Sequence, residues 1–520
     1  LTGKIASIIK NNHANPESIL ALTFTTKAAQ EMRQRIENLI SKDDLNQNPI
    51  SKSEFVRNLQ EKRQDVFVST FHGFCLMVLK EYTDFKCAIA DDILRKAFIQ
   101  KAFELTMNDN TSKNDKNNLD QNELNPNNLI DKIDKKISAS TVELQISMLK
   151  QGLTLNDQDH HTANIILQKY QKLLSFYQLV DFDDLILIVL DRLQKDNGNS
   201  SILDKLKSRF THIFVDEYQD INKSQYQLVK LLAGNGQNLC VIGDPDQSIY
   251  GFRGADNQYF KQFGHDYPNT EKIIFKRNYR STETILKASF QLISNKKGDP
   301  NFIQDKLFSG IEGEQHINIV QAASEESQAV MVGKTVERLV GGISMFSMDS
   351  GKADSSMKDE YSFSDIAVLY RTKKQSEVLS KVFEKAGIPF QTADRENIFV
   401  QKGIKELVSC LRMVIGKETF YDHDVLSSYS KKISDISFQL MRDKTTSEFL
   451  KAVIELLSLD KILNKNRKIM EIAELFLKEA QKYPDPALFY EQIAMKRDID
   501  TVDYGAEKVS LMTMHASKGL

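Results

Sequence analysis

Two adjacent carboxylates, Asp216 and Glu217, are the residues of this sequence best suited to metal-dependent chemistry. They follow the apolar run Ile213–Val215, which predicts a buried strand ending at the carboxylates. In a nucleotide hydrolase, the first carboxylate of such a pair holds Mg²⁺ and the second polarises the attacking water. The pair therefore predicts a nucleotide-hydrolysing site, and the alternative is an acidic loop after an ordinary strand.

A second polar loop follows the next apolar run, Leu239–Ile242. This loop, Gly243–Ala255, combines glycine, proline and aspartate with an amide, two aromatic rings and an arginine. Gln247 is placed to sense the γ-phosphate of a nucleotide, and Tyr250 and Phe252 can stack on bases. The alternative is a turn with core aromatic residues, but the length of the pattern favours a functional loop.

A parallel sheet must position these two loops. Ile19–Phe24 and Val66–Thr70 also predict strands, each followed by a helix. In open parallel sheets the ligand lies at the carboxyl ends of the strands, where both polar loops fall. Four further apolar runs predict a second sheet: Lys272–Phe275, Ile317–Gln321, Ile366–Tyr370 and Val509–Thr513. The sequence thus predicts an α/β fold with two similar lobes.

Two largely helical insertions interrupt the predicted lobes, over about Cys87–Leu179 and Val400–Gly505. Within the first, the tract Asn108–Lys136 is rich in Asn, Asp and Lys. It cannot bury apolar area, so it predicts a solvated loop. Within the second, Phe449–Leu457 and Ile469–Ala480 have helical periodicity.

Composition restricts the class of protein. A chain of 520 residues predicts two to four domains. The charges of the 69 basic and 71 acidic side chains nearly cancel, so the net charge gives no support for nucleic-acid binding. A nearly neutral net charge is still compatible with a local basic groove. No apolar run approaches the roughly 18 residues of a membrane helix. Four scattered cysteines without a CxxC pair argue against zinc and disulfides and predict a cytoplasmic protein: Cys75, Cys87, Cys240 and Cys410.

The two polar loops resemble motifs II and III of the superfamily 1A DNA helicases, the UvrD/PcrA/Rep family. The other motifs of that family have counterparts here in the same order along essentially the whole chain. They are Thr23–Met32 (motif Ia), Ser69–Phe74 (motif Ib), Asp181–Leu185, Ile213–Asp220 (motif II), Val241–Ala255 (motif III), Asn278–Thr282 (motif IV), Ile366–Arg371 and Thr513–Leu520 (motif V).

The resemblance implies an α/β fold with two RecA-like P-loop NTPase lobes, each carrying a mainly helical insertion. The implied segments are 1–86 (first part of lobe 1A), 87–179 (insertion 1B), 180–271 (second part of lobe 1A), 272–399 (first part of lobe 2A), 400–505 (insertion 2B) and 506–520 (motif V of lobe 2A).

The same resemblance implies a role for each residue of the nucleotide site, with ATP and Mg²⁺ as cofactors. Asp216 would bind Mg²⁺ and Glu217 would act as general base, while Gln247 would couple the γ-phosphate to the DNA groove. Tyr279 would stack on adenine, and Arg280 would neutralise charge on the γ-phosphate in the transition state. The alternatives are a core aromatic residue at Tyr279 and a surface charge at Arg280.

The resemblance also implies a groove for single-stranded DNA and for junctions of single-stranded and duplex DNA. Its expected residues are Phe24, Thr25, His72, Tyr250, Phe252, Arg253 and His515. For each of the two histidines the alternative is a structural side chain.

The implied activity is ATP-dependent translocation with 3′-to-5′ polarity and duplex unwinding, in repair, replication or recombination. The polarity follows from the resemblance alone. One alternative is the helicase subunit of a recombination nuclease of the RecB/AddA type, because the residues His515–Lys518 also resemble that group. The other is a non-catalytic DNA-binding regulator, against which the intact Asp216–Glu217 pair argues.

The sequence departs from the family pattern in several places. Leu1–Lys10 resembles the helix after a phosphate-binding GxxxxGK[ST] loop, so that loop is expected before Leu1, and motif V stops at Leu520. A polypeptide of residues 1–520 alone is therefore expected to bind ATP poorly and not to hydrolyse it. Asp394–Arg395 replaces a usual glycine pair, Gly403 replaces an acidic residue, and insertion 2B is shorter than usual.

Overall fold

A computed structural model of the chain describes residues 1–47, 65–114, 139–153, 157–196, 201–297, 307–313, 316–341, 361–392, 399, 401–434, 444–464, 467–495 and 506–518. These residues fall into two compact units. The first unit comprises Leu1–Gly243, Ile249–Tyr259 and Arg395–Asp500. The second unit comprises Asp244–Ser248, Phe260–Asp394 and Thr501–Leu520.

The strands are short, and all of their ladders are parallel. In chain order they are β1 (Ile19–Thr23), β2 (Phe67–Thr70), β3 (Ala88–Ile89), β4 (Leu179–Val180), β5 (His212–Val215), β6 (Leu239–Val241), β7 (Arg277–Asn278), β8 (Phe308–Ser309), β9 (Ala367–Tyr370), β10 (Phe390–Thr392) and β11 (Val509–Thr513).

Helices connect the strands and fill the insertions. In chain order they are α1 (Thr2–Lys10), α2 (Thr26–Gln47), α3 (Phe71–Tyr82), α4 (Asp92–Asn114), α5 (Ala139–Lys150), α6 (Asp157–Phe176), α7 (Phe182–Lys195), α8 (Ile202–Arg209), α9 (Lys223–Ala233), α10 (Gln258–Asp266), α11 (Glu283–Lys297), α12 (Glu325–Leu339), α13 (Lys373–Ala386), α14 (Ile404–Val414), α15 (Phe420–Leu426), α16 (Ser430–Ser434), α17 (Thr446–Leu457), α18 (Asp460–Leu463), α19 (Arg467–Ala480) and α20 (Pro486–Met495).

The sheet of the first unit has the strand order β2-β1-β5-β6. Every residue of β1 is buried, as expected for a central parallel strand covered on both faces. Ala21 pairs with Val68 on one side and Phe214 on the other, which fixes the register. The predicted α/β class and these four strands are confirmed, and the carboxyl ends of the strands share one edge of the sheet.

The first helical insertion has its own core, in which α4, α5 and α6 bury Phe98, Ile146 and Tyr170 among other apolar residues. The predicted loop Asn108–Lys136 is wrong at its start, because Asn108–Asn114 continue α4. Once a helix is nucleated by its packed turns, each further residue adds a hydrogen bond at little cost, so the helix runs into the polar tract. The rest of the tract, to Lys136, lies outside the described residues.

The second helical insertion belongs to the first unit as far as Asp500. The helices expected over Phe449–Leu457 and Ile469–Ala480 are confirmed as α17 and α19. A buried ion cluster joins the two insertions, because the Arg412 guanidinium contacts Asp91 Oδ2 at 2.8 Å and Asp422 Oδ1 at 2.6 Å.

Gly403, the departure from the family pattern, has a local structural cause. Its φ of 96° lies in the region that side chains rarely adopt, and an added Cβ would lie 2.5 Å from Leu463 Cδ2. The other departure, Asp394–Arg395, lies outside the described residues.

The second unit has a parallel sheet of order β10-β11-β9, backed by α12 and α13 through Val336, Phe383 and Leu511. The strands expected at Lys272–Phe275 and Ile317–Gln321 are wrong, since neither run has regular secondary structure. A strand needs a hydrogen-bonded neighbour, and among the described residues neither run pairs in a ladder. Their apolar side chains are exposed, to 95% at Ile319.

Among the residues that the structure describes, no helix is both long enough and apolar enough to cross a membrane.

Candidate nucleotide-binding and DNA-binding site

Main-chain hydrogen bonds to both neighbouring strands hold the carboxylate loop after β5. Asp216 N–H donates to Leu22 O at 3.0 Å, and Tyr218 N–H donates to Ile242 O at 2.9 Å. Between them, Glu217 has a φ of 52°, a left-handed conformation that is uncommon for a residue with a side chain. Such conformations persist where the surrounding structure fixes them, often at functional positions.

The two carboxylates create a partly buried centre of negative charge. Burial raises the pKa of Asp216, and the charge of Glu217 raises it further, while a hydrogen bond from the Glu217 N–H at 3.0 Å lowers it. The Gln219 amide donates to Glu217 Oε2 at 2.5 Å. A bound cation would relieve this repulsion, so the pair is suited to hold a divalent ion.

Mg²⁺ fits this donor set better than a metal that needs an all-protein cage. Mg²⁺ in nucleotide sites takes one or two carboxylates and completes its shell with water and phosphate oxygens. Within the described ranges, no group of three or more His, Cys, Asp or Glu side chains could hold a metal. Asp216 would thus contribute the carboxylate ligand and leave the remaining positions to water and nucleotide, with Glu217 beside the bound ion.

The second polar loop orders Gln247 through a neighbouring carboxylate. Pro245–Gln247 form a short 3₁₀ turn, in which Asp244 Oδ1 accepts from the Asp246 N–H at 3.0 Å. The Gln247 side-chain amide donates to Asp244 Oδ2 at 2.9 Å. Lys518 Nζ donates to the Gln247 carbonyl oxygen at 2.7 Å, so a lysine of motif V holds the main chain of motif III within the second unit.

Four aromatic rings of the first unit form a continuous cluster, here named the aromatic strip: Phe71, Phe24, Tyr250 and Phe252. The Phe24 and Tyr250 rings are parallel within 2°, with centroids 6.4 Å apart. Phe71 contacts Phe24 at 6.1 Å, and Phe252 contacts Tyr250 at 6.2 Å. Phe71 and Tyr250 are buried and Phe24 is half-buried, whereas Phe252 is 49% exposed, so Phe252 is the most accessible ring of the strip for stacking on a base.

The residues around the strip serve the local structure as well. Thr25 Oγ1 accepts from the Ala28 N–H at 3.1 Å at the start of α2. The His72 ring lies edge-on to Phe182 at 5.4 Å, on the first turn of α3. Arg253 belongs to the 3₁₀ turn Gly251–Arg253, and its side chain lies outside the described set.

A buried ion cluster holds the start of α7, the block Asp181–Leu185. Lys150 Nζ donates to Asp181 Oδ2 and Asp184 Oδ1, both at 2.7 Å, and Tyr170 OH donates to Asp181 at 2.8 Å. Burial and the charge of Asp181 raise the pKa of Asp184 to about 6, against the lowering effect of Lys150. Asp181 also caps α7, accepting from the Asp184 N–H at 3.0 Å.

In the second unit, a turn presents Tyr279 and Arg280. Asn278 Oδ1 accepts from the Arg280 N–H at 2.8 Å and from the Ser281 N–H at 2.7 Å. Tyr279 is 72% exposed with Arg277 5.0 Å from its ring centre, so it is not a core aromatic residue. His515 is half-buried in the turn after β11.

The structure brings the predicted residues together in three groups: Asp216 with Glu217, Phe24 with Tyr250 and Phe252, and Tyr279 with Arg280. Sequence analysis missed two contributors. Phe71 extends the aromatic strip, and its place beside His72 in motif Ib was the available signal. Gly310 packs so closely on the tyrosine turn that an added Cβ would lie 3.1 Å from Asn278 O.

A parallel α/β sheet with a carboxylate pair at its carboxyl edge defines the class of nucleotide-hydrolysing α/β proteins. The UvrD/REP helicase N-terminal domain matches residues 1–268, and the UvrD-like helicase C-terminal domain matches residues 273–421. The chain belongs to the UvrD/PcrA/Rep family of superfamily 1A DNA helicases, as its motifs predicted, and its α/β lobes are therefore RecA-like.

Curated relatives agree with this family. The chain is 29% identical over 596 aligned residues to the ATP-dependent DNA helicase PcrA of Staphylococcus epidermidis, covering 100% of this chain and 72% of that protein. It is 32% identical over 422 residues to the ATP-dependent DNA helicase PcrA of Staphylococcus aureus, covering 80% of this chain and 50% of that protein. These matches support an ATP-dependent DNA helicase.

Proposed function

We propose that this chain is the motor of a helicase that uses ATP and Mg²⁺ to move 3′-to-5′ along single-stranded DNA. It separates strands at junctions of single-stranded and duplex DNA, in repair, replication or recombination in the cytoplasm. The observation that carries the proposal is the aromatic strip, which ends in the half-exposed Phe252 in the same compact unit as the Asp216–Glu217 pair.

The nucleotide chemistry is assigned to residues with suitable donors. Asp216 would hold Mg²⁺, which when bound neutralises charge on the phosphates. Glu217 accepts a proton from the attacking water, and the Gln219 amide that donates to Glu217 Oε2 helps to hold this carboxylate. Tyr279 offers an exposed ring to adenine, and Arg280 offers a guanidinium to the γ-phosphate.

The DNA track is assigned to the strip and its neighbours. Aromatic rings stack on any base, so a strip of this kind binds single strands with little sequence preference. Phe252 provides the accessible face, Tyr250 contacts Phe252, and Phe24 contacts Tyr250. Thr25, His72, Arg253 and His515 are proposed to contact the backbone of the strand.

Coupling is assigned to the motif III loop, because Gln247 and Phe252 belong to it. A change in the hydrogen bonds of Gln247 when the γ-phosphate is lost would reach Phe252 through a short length of chain. The segment boundaries proposed for lobes 1A and 2A and insertions 1B and 2B assign this loop to lobe 1A at 180–271, whereas the compact units divide it, with Asp244–Ser248 in the second unit and Ile249–Tyr259 in the first.

The ATPase rate of the full-length natural protein, with and without single-stranded oligonucleotide, tests this proposal. We expect strong stimulation by DNA in the parent protein and loss of turnover in Glu217→Gln with nucleotide binding retained. A parent protein that binds single strands but shows no DNA-stimulated ATPase would instead be a non-catalytic DNA-binding regulator.

A further inference from the structure

A buried glutamine lies against the main chain of the loop that carries Phe252. Gln151 follows α5 and is 7% exposed. A Cβ added to Gly254 would lie 1.9 Å from Gln151 Oε1 and 3.3 Å from Leu153 Cδ1. The glutamine amide therefore touches the loop just beyond Phe252, where Gly254 has a φ of 83°.

One end of the Gln151 amide is held, and the other is not. Its Nε2 donates to Ser147 Oγ at 3.3 Å and to Asp183 Oδ1 at 3.4 Å. Its Oε1 is buried and has no hydrogen-bond partner among the residues that the structure describes. A buried acceptor without a donor costs free energy, so it is expected to find a donor in another state of the molecule.

The main chain around Gly254 offers candidate donors. The loop closes on itself through Gly254 N–H to Gly251 O at 3.0 Å and Ala255 N–H to Tyr250 O at 3.3 Å. The Ala255 bond is the longer of the two, so the Ala255 N–H is the donor that a small movement of the loop releases most easily.

The same turn of α7 also supports motif Ib. Asp183, which orients Gln151, is adjacent to Phe182, whose ring lies 5.4 Å from His72. Ser147 Oγ donates to Asp183 Oδ2 at 2.8 Å, which keeps this carboxylate in place. The start of α7 thus backs two of the predicted DNA-contacting positions.

We infer that Gln151 is a positioning residue of the DNA-binding loop. When single-stranded DNA binds, the loop moves so that the Ala255 N–H donates to Gln151 Oε1, and this bond holds Phe252 against the base. The inference rests on the proposed function, since it assigns Gln151 to the same DNA track.

Gln151→Met in the full-length natural protein tests the inference, because methionine keeps the length of the side chain and removes the acceptor, together with the two long Nε2 hydrogen bonds to Ser147 and Asp183. We expect the oligo(dT) concentration for half-maximal ATPase stimulation to rise by about 2–12-fold, the range of one hydrogen bond, with the maximal rate retained. The melting temperature should fall little, because the two lost Nε2 hydrogen bonds are long and the unbound state also loses an unsatisfied acceptor. Gln145→Met removes another buried amide from α5 and serves as the control.

Hydrogen exchange at Ala255 gives an independent readout. We expect oligo(dT) to slow this exchange in the parent protein and in Gln145→Met, but much less in Gln151→Met. Equal protection and equal half-maximal concentrations in all three would overturn the inference while leaving the proposed function intact. A parent protein that does not bind oligo(dT) at all would overturn the proposed function itself.

Discussion

Replacing Phe252 with alanine should weaken single-strand binding, while the fold loses less stability than it would on truncation of a buried ring. Phe252 is 49% exposed and contacts the buried Tyr250 at the end of the aromatic strip. Stacking of one base on an aromatic ring contributes about 1–3 kcal/mol by alanine substitution. That free energy corresponds to about 5–150-fold in affinity for the strand.

The cost to stability sets the scale against which this loss is judged. A fully buried phenylalanine loses about 3–5 kcal/mol on truncation to alanine. Because half of the Phe252 side chain is in water, we expect less than about half of that loss. Tyr250→Ala truncates a buried ring of the same strip, so it should cost the full loss of about 3–5 kcal/mol in stability. Phe176→Ala truncates an exposed ring at the end of α6, so it should change neither stability nor affinity for the strand.

Four measurements on the full-length natural protein separate these outcomes: urea unfolding, oligo(dT) affinity by fluorescence anisotropy, basal ATPase and duplex unwinding. Phe252→Ala should retain most of its basal ATPase and lose unwinding. A Phe252→Ala protein that loses stability and all activities in parallel would remove Phe252 from the DNA track. Affinity equal to that of the parent would do the same.

Three further substitutions test other parts of the structure. Glu217→Gln should lower turnover by about 10²–10⁴-fold with ATP affinity retained, and normal turnover would show that Glu217 is not the base. Arg412→Met should lower the free energy of unfolding in urea by about 3–5 kcal/mol, because it leaves two buried carboxylates without their ion-pair partner. Lys80→Ala, at the exposed pair with Glu491, should lower it by about 0–1 kcal/mol. Equal losses in the two variants would contradict the stabilising role of the buried cluster. Gly403→Asp should lower the melting temperature, because a side chain on this left-handed backbone costs about 1–3 kcal/mol. Gly3→Ala, in helix α1 with open space around the added methyl group, should not lower it. An unchanged melting temperature in Gly403→Asp would contradict the backbone conformation at Gly403.

The sheet of the first unit could be predicted because each of its strands has a clear local sequence pattern. Each is a short apolar run that ends in polar residues, and β1 is buried along its whole length. Apolarity alone was not sufficient in the second unit, where Lys272–Phe275 has the same character but pairs with no described strand. A strand depends on its neighbour, and the neighbour is not encoded in the run itself.

The candidate site shows the same division. Asp216, Glu217 and Phe252 were predicted because each lies in a continuous motif. The contact of Gln151 with Gly254 joins residues far apart in the chain, and neither residue type signals it. The ion pair of Arg412 with Asp91 could not be predicted from the sequence either, because it depends on how the two insertions pack within the first unit.

Duplex unwinding by the full-length natural protein tests the central claim most directly. Two substrates are compared in the presence of ATP and Mg²⁺, one duplex with a 3′ single-stranded tail and one with a 5′ tail. We predict that the parent protein separates the 3′-tailed duplex, leaves the 5′-tailed duplex intact, and loses the activity in Glu217→Gln. ATP-independent strand separation, or no separation of either duplex, would contradict the account.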